Sequence, residues 1–94
     1  MADIVILNPG ELHRHKRFGP ATVNRGAVLF ECEWDGGLFE AGLMIGGMFR
    51  SGRFAGGIFH GGIFWEGEWV SGTWEGGFDR QGLYHSRDTR PRFL

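Results

Sequence analysis

Glycine occupies positions 37, 42, 47, 52, 57, 62, 67, 72, 77 and 82, one every five residues without a break. Two residues after each stands a large side chain: Phe39, Met44, Phe49, Phe54, Phe59, Phe64, Trp69, Trp74 and Tyr84, with Asp79 the one polar exception. The register continues backwards with other small residues: Cys32 before Trp34, Ala27 before Leu29 and Thr22 before Asn24. A short fixed period marks a repeat architecture and outranks any local propensity. Five fits neither an amphipathic helix nor a simple alternating strand. Within each unit, however, the small and large residues stand two apart, so an extended backbone sends both to one side. The remaining residues must turn the chain. Gly36, Gly46, Gly56, Gly61 and Gly76 fall where a turn would use a positive φ.

Composition narrows the class. With 18 glycines, the 94-residue chain could be a flexible linker, but linkers lack the nine Phe and four Trp found here. Those rings must be buried, and glycine must serve geometry or space. The net charge of −1 gives no global field for nucleic acid or an acidic membrane. A single cysteine, Cys32, excludes an internal disulfide and a thiolate metal cluster. No apolar run reaches spanning length, and the first residues lack the form of a secretory signal. The expectation is cytoplasmic synthesis, compatible with later incorporation in a virion or other particle.

The small–x–large–x–Gly unit resembles the pentapeptide-repeat proteins, and Ala27-Val28-Leu29-Phe30-Glu31 matches their small and large positions directly. The resemblance covers residues 22–86. It implies an all-β chain wound as a four-sided right-handed β-solenoid of about three coils, preceded by a short N-terminal strand segment. The chain departs from the family in using Gly for Ala and in lacking Asp or Asn before the large residue. The first departure has a volume argument: Phe or Trp in place of Leu overfills a close-packed interior unless its neighbours shrink. The expected inward ladder is Trp34, Phe39, Phe49, Phe54, Phe59, Phe64, Trp69 and Trp74.

A four-sided coil predicts a second period of twenty in the residue before each large one. Sorted that way, Val23, Leu43, Ile63 and Leu83 form one apolar column and Leu38, Ile58 and Phe78 another. Glu33, Arg53 and Thr73 form a polar one, and Val28, Met48 and Glu68 a mixed one. The alternative fold is an open antiparallel β-meander, because Trp65-Glu66-Gly67-Glu68-Trp69-Val70-Ser71-Gly72 resembles the core of a MORN repeat.

Residues 1–21 read as an N-terminal capping or docking segment, 22–86 as the repeat domain and 87–94 as a basic tail without periodicity. Residues 22–86 carry four basic and eight acidic side chains, or −4, against +3 for the flanks together. Arg87, Arg90 and Arg92 are therefore expected to meet acidic surface, of this chain or of a neighbouring copy.

Catalytic and cofactor motifs are absent: there is no phosphate-binding loop, dinucleotide fingerprint or His-Glu-x-x-His. His13 and His15 could share a strand face and bind a metal, but their basic neighbours read more simply as an exposed strand. Cys32 falls in the small inward phase and reads as core. Asp79 replaces a core aromatic, so the coil is expected to open there, with its carboxylate on backbone amides and no acid or histidine beside it. Arg50, Arg53 and Trp65 could serve nucleic acid, but the acidic repeat body argues against it.

The expected interaction surface is the pair of apolar columns, Leu38, Leu43, Ile58, Ile63, Phe78 and Leu83, a patch larger than a monomer usually exposes. Together these readings describe a non-catalytic structural or protein-interaction module, with no cofactor or metal, that engages a protein partner or itself. Short glycine–aromatic repeats resemble those of phage-encoded proteins. The family resemblance also implies a gyrase-binding DNA mimic as an alternative, and the MORN resemblance a membrane-adjacent scaffold.

Overall fold

The computed structural model describes residues 4–87, which form an all-β solenoid of about five coils with no helix. The first coil contains β1 (Val5–Leu7), β2 (Leu12–Arg14) and β3 (Arg17–Phe18). The long strands β4 (Thr22–Phe30), β5 (Glu33–Ile45) and β6 (Met48–Phe54) then bend through corners from one face to the next. Shorter strands follow: β7 (Ile58–His60), β8 (Ile63–Phe64), β9 (Glu68–Trp69), β10 (Thr73–Trp74) and β11 (Gly77–Asp79). The last, β12 (Tyr84–His85), folds back antiparallel on β11.

The register corrects the expected number of sides. Val23 lies beside Leu38, Leu43 beside Ile58 and Ile63 beside Phe78, each fifteen residues further along a parallel ladder. Three pentapeptides therefore complete a coil, so the solenoid is three-sided rather than four-sided, with about five coils instead of about three. Parallel pairing between coils also separates it from the antiparallel meander. Residues 5–18 pair directly with the next coil. They form a slightly longer first coil, Val5 beside Thr22 and Leu12 beside Val28, with the extra residues placed at corners.

A triangular coil must turn more sharply than a square one, and this gives glycine a role beyond saving volume. Gly57 has φ +96°, and a Cβ there would run into the backbone oxygen of Gly42 in the coil below. Gly56, expected to take a positive φ, does not, yet a Cβ at that position would meet the Glu40 carbonyl oxygen. The corners are therefore closed by backbone approach as well as by conformation.

The core is the expected ladder. Trp34, Phe39, Phe49, Phe54, Phe59, Phe64 and Trp74 are buried, with Trp69 partly buried near the top. Rings stack along each face: Phe39 on Phe54 at 4.7 Å, Phe54 on Trp69 at 4.3 Å, Phe49 on Phe64 at 4.8 Å and Phe59 on Trp74 at 5.0 Å. Between faces they meet edge to face, as Phe49 does Phe54 at 5.8 Å and Phe59 does Phe64 at 5.8 Å. Both geometries suit the ring quadrupole. Three rings in edge contact fill a triangular section, which is why three sides accommodate this sequence.

Asn24, Trp34 and Trp74 find hydrogen-bond partners within the stack, whereas Nδ1 of His13 in the first coil is buried without one. The buried Asn24 accepts from the Gly26 and Ala27 amides and donates to the Ala27 carbonyl. The indole N–H of Trp34 donates to the Gly37 carbonyl, and that of Trp74 to the His85 carbonyl. Cys32 is buried with its thiol near the His13 and Phe30 carbonyls, a core position as expected.

Candidate interaction face

Because side chains alternate along a strand, each face presents two outward columns, one before and one after the buried ring. On the first face the leading column is Ile6, Val23, Leu38, Arg53 and Glu68, ending in an Arg53–Glu68 ion pair at 2.7 Å. On the third it is Arg17, Glu33, Met48, Ile63 and Phe78, beginning with an Arg17–Glu33 pair at 2.7 Å. The second face differs. Its leading column is Leu12, Val28, Leu43, Ile58 and Thr73, and its trailing column runs Arg14, Phe30, Ile45 and His60.

The middle of the second face thus carries Val28, Phe30, Leu43, Ile45 and Ile58, five apolar side chains without an ion pair among them. Arg14 closes one end, its guanidinium 5.1 Å from the Phe30 ring centre. His60 and Glu75 lie toward the other end. Cross-strand aliphatic pairs of this kind also strengthen the sheet, so the ladder has a structural role whatever else it does.

This arrangement breaks up the expected interaction surface. The twenty-residue sorting joined residues from different faces: Leu38 is on the first, Leu43 and Ile58 on the second, Ile63 and Phe78 on the third. Leu83 lies in the turn between β11 and β12, and it is exposed. Only Leu43 and Ile58 stand side by side on the second face. Phe30 and Ile45 were missed because the sorting used only the residue before each ring. Taking the residue after it at a spacing of fifteen would have found them.

The other candidates resolve individually. Arg87 lies 3.8 Å from Glu75, a contact between the start of the tail and the acidic repeat body. Arg90 and Arg92 lie outside the described residues. His13 is turned into the first coil, with Nε2 2.9 Å from Glu11 Oε1 and its ring edge-on to Phe18 at 5.4 Å. His15, at φ 53°, instead approaches Glu31 at 3.4 Å. The two imidazoles do not converge, and among the described residues no three His, Cys, Asp or Glu side chains cluster to hold a metal. The Asn8 amide and then His13 lower the pKa of Glu11.

Asp79 accepts from the Gln81 and Leu83 amides, as expected for a residue ending the coil. Contrary to expectation, a histidine stands beside it: His85 Nε2 is 2.8 Å from Asp79 Oδ2. That partner, followed by the Leu83 amide, holds the carboxyl below its ordinary value. The pair ties β12 over the third-face ladder. On the same face, a recess of about 170 Å³ is lined by Met48, Arg50 and Trp65. These three residues supply one guanidinium and no nucleophile or general base.

Comparisons with protein-family models, with curated proteins and with solved structures find no match to this chain.

Proposed function

We propose that this chain is a non-catalytic protein-interaction module, a rigid three-sided rod that docks into a larger assembly through its second face. The observation that supports this reading is the contrast among the faces. Two carry ion pairs along their leading columns, whereas the second holds an unbroken run of Val28, Leu43 and Ile58 flanked by Phe30 and Ile45. A flat parallel sheet with an uncharged centre and a charged end suits a protein partner that covers the apolar strip and pairs with Arg14. Among the described residues the interior is occupied by the ring ladder, whose members from Trp34 to Phe64 are buried. Assembly into a virion or comparable particle is one setting for such a rod.

The test is a variant that charges the face without opposing the fold. Leu43→Lys with Ile58→Glu places an opposite-charge pair at the same register as the existing Arg53–Glu68 pair. The expected result is an unchanged circular dichroism spectrum and loss of the partner that co-purifies with the wild-type chain from its native source. The matching change on the third face, Met48→Lys with Ile63→Glu, should keep that partner. If the third-face variant loses it and the second-face variant keeps it, the assignment is wrong.

A further inference from the structure

We infer that two copies of this chain associate head to head through the open edge of β1, each extending the other's first face. This goes beyond docking through the second face and stands whether or not that face binds a partner. A solenoid's terminal coils normally need polar outer surfaces or some cover for their unpaired backbone. The two ends of this rod treat the requirement differently. At the far end, β12 returns antiparallel over β11 and is tied down by Asp79 and His85. At the near end, β2 and β3 and the corner between them carry Arg14, Lys16 and Arg17, charges that protect an edge. The β1 side has no such residue from Ile4 to Leu7.

Exposure follows the same line. Ile4, Val5 and Ile6 are 68%, 49% and 42% exposed. Val5 is the informative one, because it pairs with the inward Thr22 and so belongs to the core phase, yet among the described residues no coil covers it from below. The backbone agrees. The Val5 amide donates to the Ala21 carbonyl, so alternation along a parallel strand directs the N–H and C=O of Ile6 to the open edge.

A second copy of β1 fits this edge in a self-complementary way. With Ile6 opposite its own counterpart across a two-fold axis, the two residues exchange both backbone hydrogen bonds. Val5 then faces the counterpart of Leu7 in the core phase, and Ile6 remains outward beside Ile6. The register thus keeps inward with inward, as a two-fold centred on a residue must. The contact is small. Half of the 25 × 23 Å rectangle set by the two shorter dimensions gives roughly 300 Å² of footprint per copy, against about 800 Å² in a standard interface. The dimer is therefore weak, its contact below the size of a standard stable interface. Arg14, Lys16 and Arg17 of the two ends also approach one another, so added salt strengthens this association by screening them.

Sedimentation equilibrium of the whole chain from about 10 μM to 1 mM, at low and high salt, tests the inference. The expected result is a monomer–dimer equilibrium that tightens with salt. It should weaken at least tenfold in Ile6→Lys and equally in Ile6→Pro, which removes the N–H facing the open edge and the Ile side chain without adding a charge. The Leu43→Lys, Ile58→Glu variant should dimerise like the wild type. If one Ile6 variant fails to fold, the other carries the comparison. A chain monomeric at 1 mM in high salt, a dimer unaffected by the folded Ile6 variant, or one abolished by the second-face change would overturn it. The last result would instead assign self-association to the second face.

Discussion

Replacing Phe54 tests the ring ladder where it is most tightly held. Phe54 is fully buried, stacked between Phe39 at 4.7 Å and Trp69 at 4.3 Å, with Phe49 and Phe59 edge-on at 5.8 and 6.0 Å. Truncating a core Phe to Ala costs about 3–5 kcal/mol, depending on how far the site can collapse. Collapse is restricted here, because hydrogen bonds between coils fix the layers at the spacing of neighbouring strands. Four ring contacts vanish together, each contributing up to ~1.5 kcal/mol beyond burial alone. Phe54→Ala should therefore lie at the top of the range, near ~5 kcal/mol, a large share of the ~5–14 kcal/mol available to a chain of this size. Trp69→Ala, which removes a partly buried ring near the end of the stack, should cost less, about 2–3 kcal/mol. Urea denaturation followed by circular dichroism measures both, and the slope should stay constant within the series. A loss below ~1 kcal/mol for Phe54→Ala would show that the stack does not hold the fold together, and the argument from ring packing would fail.

Gly57→Val should be among the most damaging single changes, since it combines a positive φ with a collision against the Gly42 backbone. Gly56→Ala should also destabilise by well over ~1 kcal/mol despite its ordinary φ, because the Glu40 carbonyl occupies the space; denaturation midpoints near wild type for both would contradict the corner account. Asp79 has a folded pKa below its ordinary value of 3.8, so its stabilisation is fully present above that value and is lost as pH falls through the lower folded value. Asp79→Asn should remove that part of the acid-limb slope in thermal denaturation, and an unchanged slope would show that the carboxylate does not organise the terminal turn.

The architecture was more legible in the sequence than its symmetry. The spacing from Gly37 to Gly82 identifies a five-residue unit, and the large residues two positions later identify the core. Nothing in a five-residue period counts the sides, because each unit has the same inward pattern whichever face it occupies. The side count depends on how sharply the corners turn and how many rings fill a layer. Glycine at both Gly56 and Gly57 bears on the first question, but its tight approaches to Glu40 and Gly42 exist only once the coils are stacked. The outward residues were a weak guide, since aliphatics on all three faces allow a twenty-residue sorting to collect apolar columns. A fifteen-residue sorting separates Val28, Leu43 and Ile58 from the charged pairs. The first coil was hidden for a different reason. It has lost the glycine–aromatic pattern, and its extra corner residues shift the spacing to sixteen and seventeen before it joins the ladder.

Paired cysteines measure the three-sided register directly. In a Cys32→Ala background, Leu43→Cys with Ile58→Cys places two thiols on neighbouring strands at directly paired outward positions. Leu38→Cys with Ile58→Cys places them at the twenty-residue spacing that a four-sided coil would bring together. A disulfide needs Cα atoms within roughly 4.4–6.8 Å, which neighbouring strands provide and different faces of the rod do not. After mild oxidation at low protein concentration, mass spectrometry should find an intramolecular disulfide in the 43–58 pair and free thiols in the 38–58 pair. Closure of the 38–58 pair while the 43–58 pair stays reduced would contradict the fifteen-residue coil, and with it the second face on which the proposed function rests.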